Sequence, residues 1–138
     1  MSTRIFGINQ TAQFDPFSVF AGDFQKVAEE VTAGAEDLAF LSVVKMDANG
    51  TVSLVTALTD VIYGVIYDVQ EFDETFHALP QGLNAGEKGI ALTSGEFLGR
   101  RVVVGGTLTW EDLNNMQRRP NAALWFRANP SNEMAGRI

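Results

Sequence analysis

The chain of 138 residues has no cysteine and carries ten basic against seventeen acidic side chains, a net charge of −7. The length fits one domain. The missing cysteine excludes disulfides, thiolate nucleophiles and cysteine-ligated metal centres. The acidic balance removes the usual electrostatic drive towards nucleic acid. The charge is uneven, −10 over residues 1–99 and +3 over residues 100–138. The basic C-terminal part is either ordinary surface variation or a region that meets an acidic neighbour. No signal-peptide h-region follows Met1, and the longest apolar stretch, Leu38 to Val44, is too short to span a bilayer. A protein made in a cytoplasm and away from membranes is expected.

Residues 1–31 are expected to form an N-terminal arm and a first strand. Five of the ten phenylalanines fall here: Phe6, Phe14, Phe17, Phe20 and Phe24. Asp15-Pro16 suits the opening of a short helical turn and Gly22 its stop, which puts Phe14, Phe17 and Phe20 on a similar face. That stripe either covers one end of the protein's own core or, with Phe6, docks on a partner, where buried aromatics dominate affinity. Phe24 to Thr32 fits either a helix or a strand, and the strand-like sequence after it favours the extended form.

Residues 32–128 read as one β domain. Leu38 to Met46 and Thr51 to Val55 are β-prone runs around Asp47-Ala48-Asn49-Gly50, and Asn-Gly between such runs predicts a hairpin with both residues at positive φ. Val61 to Tyr67 is apolar on both faces, so a doubly buried strand is expected, with Gly64 marking a bulge or a close backbone approach. Ile90 to Thr93 and Glu96 to Leu98 flank a predicted turn at Ser94-Gly95, and Arg101 to Val104 forms a further strand. Thr109 caps a short helix over 110–117 with acid in its first turn. Leu124 to Phe126 is the last strand, and residues 129–138 are a tail. The fold class is all-β, a small sandwich or barrel with a jelly-roll arrangement among the candidates, one or two short helices and extended termini.

Chemistry-bearing residues are sparse. Asp68, Glu71, Asp73, Glu74 and His77 are the densest polar group, and Glu74-x-x-His77 has the spacing of a di-iron helical motif. That motif needs several long helices and a second copy, so a solvated acidic loop is the better reading. The single histidine rules out a histidine-rich metal site. Asp47 to Gly50 has its glycine at the wrong position for a calcium loop. Asn49-Gly50-Thr51 is a glycosylation sequon without a secretion signal. Ser94 has no nearby base, and Gly86-Glu87-Lys88-Gly89 lacks the end of a phosphate loop. No catalytic residue, metal site or cofactor is expected, and no enzyme.

The stretch from Thr32 through Lys45-Met-Asp-Ala-Asn-Gly50, on to Asp60-Val-Ile-Tyr-Gly-Val-Ile-Tyr67, and then Ala85-Gly-Glu-Lys-Gly-Ile-Ala-Leu-Thr-Ser-Gly-Glu96, resembles the capsid cement or decoration proteins of tailed bacteriophages. The resemblance spans roughly residues 32–113. It implies a structural virion protein assembled in the host cytoplasm and bound to the capsid exterior, where it cements neighbouring major capsid protein subunits. It also implies a homodimer or homotrimer at a symmetry axis, with no cofactor, nucleic acid or membrane. The ends then become contact elements: Phe6, Phe14, Phe17 and Phe20 as the arm, and Arg118, Arg119 and Arg137 as basic contacts. The alternative is a non-enzymatic β-barrel binding module, a virion fibre base or a glycan or small-molecule binder, with Trp110, Trp125 and Tyr63 as a stacking platform.

Overall fold

The computed structural model describes residues 19–22, 26–72 and 78–129. Phe6, Phe14, Phe17, Asp73, Glu74, His77 and Arg137 lie outside the described residues. The strands are β1 (Ala28–Thr32), β2 (Val43–Met46), β3 (Val52–Leu54), β4 (Gly64–Ile66), β5 (Asp68–Phe72), β6 (Ala78–Gln81), β7 (Lys88–Leu92), β8 (Ser94–Leu98) and β9 (Ala123–Arg127). A 3-10 turn at Gly99–Arg101 and one helix, α1 (Trp110–Leu113), complete the regular structure among the described residues. The fold is all-β. Five strands form an antiparallel sheet in the order β1-β7-β4-β2-β3, β5 pairs with β6, and β8 pairs with β9 in parallel.

The β2–β3 hairpin forms where Asn49-Gly50 predicts it, but with a different turn. Among the described non-glycine residues only Leu41 and Asn121 have positive φ, so Asn49 does not, whereas Gly50 sits at 84°. The Gly50 N–H donates to Asp47 O at 3.0 Å and the Asp47 N–H to Thr51 O at 2.7 Å. This is a type I turn followed by a left-handed glycine bulge, in place of the two-residue mirror-image turn. Asp47 reinforces it by accepting from the Ser53 hydroxyl at 3.0 Å.

The Val61 to Tyr67 run is a shorter strand than its composition suggests. Gly64, Val65 and Ile66 lie between β2 and β7 and all are buried. Ile62 has left the sheet and bridges Arg118 instead. The close approach expected at Gly64 is present: a Cβ there would stand 2.8 Å from the Leu92 carbonyl oxygen.

Three further expectations change. Ser94-Gly95 is not a turn but the start of β8: the chain bends at Thr93 and moves from the five-stranded sheet into the β8–β9 pair. The pairing partner decides this: the Ala123 N–H donates to Thr93 O at 3.1 Å and β8 continues alongside β9, so the chain changes layer without reversing. Arg101 to Val104 makes one parallel bridge, Val103 to Ser42, and no ladder. Asp68 does not belong to a solvated loop. It is 1% exposed, beside Gly89, whose missing Cβ leaves room for it and for Leu83.

Alternation along the strands gives the sheet two buried faces. Val43, Val65 and Leu92 point to one core, completed by Phe97, Leu113, Met116, Leu124 and Phe126 from β8, α1 and β9. Val31, Val44, Val52, Ile66 and Ala91 point to the other, closed by Leu38 and Leu83. Those two leucines exchange backbone hydrogen bonds of 2.7 Å each. The sheet does not close into a barrel; one parallel bridge, Ala33 to Val52, ties its curled ends.

Candidate functional site

The polar side chains that organise the surface gather around the segment between α1 and β9. α1 is started by Asp112, whose carboxylate accepts from the Thr109 N–H at 2.9 Å, satisfying one of the free donors of the first turn. Asn114, which caps its C-terminal end, then reaches β9. The Asn114 amide donates to Phe126 O at 2.7 Å, and its oxygen accepts from Phe126 N at 3.2 Å. Arg118 takes the next outward carbonyl: its Nε donates to Leu124 O at 2.6 Å and its Nη1 to Met116 O at 2.9 Å. Two side chains thus occupy the edge of β9 that faces away from β8, where another strand would otherwise pair.

Arg119 points the opposite way, because successive residues of an extended segment alternate sides. Its Nη1 lies 3.0 Å from both carboxylate oxygens of Glu29, and its guanidinium stands 4.4 Å from the Tyr63 ring centroid. The Tyr63 hydroxyl donates to Glu29 Oε1 at 2.6 Å. The trio joins β1, the entry to β4 and the α1–β9 segment, with Tyr63 packed against the core of Val31, Val44 and Ile66. The Tyr63 hydroxyl, and after it Arg119, hold the Glu29 carboxyl below its ordinary range against the opposing effect of burial. Accepting carboxylate and burial push Tyr63 upward, and Glu29 raises Arg119. Glu29 and Arg119 are held charged and Tyr63 is held protonated and neutral, so the trio does not exchange protons near pH 7. It is a clamp by its chemistry.

The basic C-terminal part does meet acidic neighbours, and they belong to the same chain. Besides Arg119 with Glu29, Arg127 lies 3.3 Å from Glu96 across the β8–β9 pair. Arg100 and Arg101 stay exposed on the 3-10 turn, close in sequence to the exposed Val103.

Phe20, expected in the aromatic stripe, is 3% exposed and belongs to the core. It bridges Phe97, and its ring centroid lies 5.3 Å from that of Phe97 and 5.4 Å from that of Tyr67. Arg118 and Arg119, expected as basic contacts, are half-buried and bonded to partners in the same chain. Tyr63, Trp110 and Trp125 do not form a platform: Tyr63 lies under Arg119, Trp110 fills the space left by Gly99, and Trp125 lies under Arg118. Trp125, 46% exposed, is the most open of the described aromatic residues on this surface. Sequence reasoning missed Glu29 and Asn114. No local signal marks Glu29, whose partners lie 34 and 90 residues away. Asn114 at the end of a capped helix was a weak signal for a cap and none for its strand partner.

Among the described residues no group of three His, Asp or Glu side chains is placed to hold a metal ion, and no helix is long and apolar enough to cross a membrane. Comparison of the chain with protein-family models finds no match, and comparison with curated proteins finds none either.

Proposed function

We propose that this chain is a structural virion protein, a capsid cement protein of the tailed-bacteriophage type that binds the shell exterior as a homodimer or homotrimer and bridges major capsid protein subunits. One observation carries the reading: the segments of the cement-protein resemblance coincide with the elements that define the sheet. Asp47 to Gly50 is the β2–β3 turn, Gly64 to Ile66 is the central strand, Ala85 to Lys88 leads into β7, and Thr93 to Glu96 is the crossing between layers. Two buried cores and ion pairs closed within the chain suit a protein whose work is adhesion. A protein that binds only the assembled shell stabilises it by mass action. Since Phe20, Arg118 and Arg119 are engaged internally, the proposed contacts fall to Phe6, Phe14, Phe17 and Arg137, with the exposed Arg100 and Arg101 added. The test is co-sedimentation with mature, undecorated shells. Binding at micromolar protein supports the reading, and its absence there ends it.

A further inference from the structure

We infer that Asn49 is a site of spontaneous deamidation in the folded protein, and that the β2–β3 turn ages into an isoaspartyl form. Asn49 precedes the one Asn-Gly peptide bond in the chain. Both residues are exposed, and a Cβ built at Gly50 meets nothing within 4 Å. Among the described residues none hydrogen-bonds the exposed Asn49 carboxamide at the tip, while Asn114, by contrast, is held by both backbone groups of Phe126. The nucleophile is the Gly50 backbone nitrogen. Its proton passes to solvent base, the nitrogen attacks Asn49 Cγ, an N–Cγ bond forms and the Cγ–Nδ2 bond breaks. Nδ2 leaves as ammonia after taking a proton from water. The resulting succinimide adds one water. Opening at Cγ restores the ordinary backbone as aspartate; opening at the main-chain carbonyl leaves Gly50 attached through Cγ, an isoaspartate. Nothing is oxidised or reduced, and water is the only other reactant.

The fold opposes the first step through the Gly50 N–H, which donates to Asp47 O at 3.0 Å. One exposed turn hydrogen bond slows the attack by about tenfold at most, given the modest net worth of such bonds. The consequence is structural. Isoaspartate inserts a carbon into the main chain and frees a carboxylate two residues from Asp47. The turn and bulge, which hold Gly50 N on Asp47 O and Asp47 N on Thr51 O, lose their atom count.

The test incubates the full-length protein in mildly alkaline buffer made with heavy-oxygen water, natively and unfolded in urea. Tryptic cleavage at Lys45 and Lys88 gives the peptide Met46 to Lys88, whose fragments separate Asn49 from Asn84. Heavy oxygen is expected at Asn49 before Asn84, split between aspartyl and isoaspartyl peptides, at a native rate within about tenfold of the unfolded one. Gly50→Ala should slow both rates, because a side chain crowds the attacking nitrogen. A native rate more than about tenfold below the unfolded rate, or label at Asn84 first, overturns the inference.

Discussion

The Asn114 side chain pairs with Phe126 as a neighbouring strand would, donating to its carbonyl at 2.7 Å and accepting from its N–H at 3.2 Å. An amide side chain has the donor and acceptor geometry of a peptide unit, so one residue at the end of α1 stands in for a residue of a neighbouring strand. Asn114→Ala removes both bonds at once and leaves two partly buried backbone groups without them. A loss of about 1–3 kcal/mol is expected, read as a lower urea midpoint with an unchanged slope. Because the freed edge of β9 can then accept a strand, the variant should also self-associate more at high concentration in light scattering.

The Glu29 clamp predicts a pH dependence with a definite sign. The folded-state pKa of Glu29 lies below its unfolded value, so its contribution is present above the unfolded value, near about 4.3. It is lost as pH falls through the folded value. The stability difference between wild type and Glu29→Gln should therefore be constant at neutral pH and shrink in acid. Since the pair is partly exposed, a double-mutant cycle of Glu29→Gln with Arg119→Gln should give a coupling of no more than about 1 kcal/mol, weakened by salt. A coupling several times larger, or one indifferent to salt, would contradict the exposed geometry.

Tyr67 gives the alkaline counterpart. It is packed by Phe20 and Phe40, and burial pushes its pKa up to about 12. A raised folded value means the stabilising contribution is complete below the unfolded value and disappears as pH rises through the folded one. The ultraviolet phenolate signal of Tyr67, isolated in a Tyr63→Phe background, should appear together with alkaline unfolding and not at the ordinary tyrosine value of about 10.

Gly64 and Gly99 should differ in whether their alanine variants can be rescued. At Gly64 the added Cβ meets the Leu92 carbonyl at 2.8 Å, a backbone atom in a central strand; at Gly99 it meets the Trp110 ring. Each alanine should cost about 1–3 kcal/mol through overpacking. Trp110→Leu should recover part of the Gly99→Ala loss, because a side chain can be made smaller. No side-chain change at Leu92 should recover Gly64→Ala.

Phe20 separates core from arm. Buried between Phe97 and Tyr67, it should cost about 3–5 kcal/mol when changed to alanine. A solvent-facing arm residue would cost within about 0.5 kcal/mol. Thermal or urea unfolding of Phe20→Ala distinguishes the two directly.

Local patterns carried the parts of this fold that local physics decides. Asn49-Gly50 set the place of the hairpin because few residues tolerate a turn there. Gly64 signalled the close backbone approach, Thr109 and Asp112 the helix start, and the short apolar runs an all-β chain without a disulfide. What lay beyond their reach was where each strand goes next. Ser94-Gly95 has turn composition yet continues as β8, because its parallel partner, Ala123 to Arg127, comes some thirty residues later. Asp68 reads as solvated among acids yet is buried, because Gly89 leaves room beside it. Arg118 and Arg119 read as surface charge, and only the packed structure gives Arg118 the carbonyl of Leu124 and Arg119 the carboxylate of Glu29. The sequence alone determined the class of fold and the position of its turns, which depend on neighbours along the chain. The tertiary structure decided which charges are paired within the chain and which stay exposed, since hydrogen bonds and ion pairs form between residues that meet only after the layers have packed.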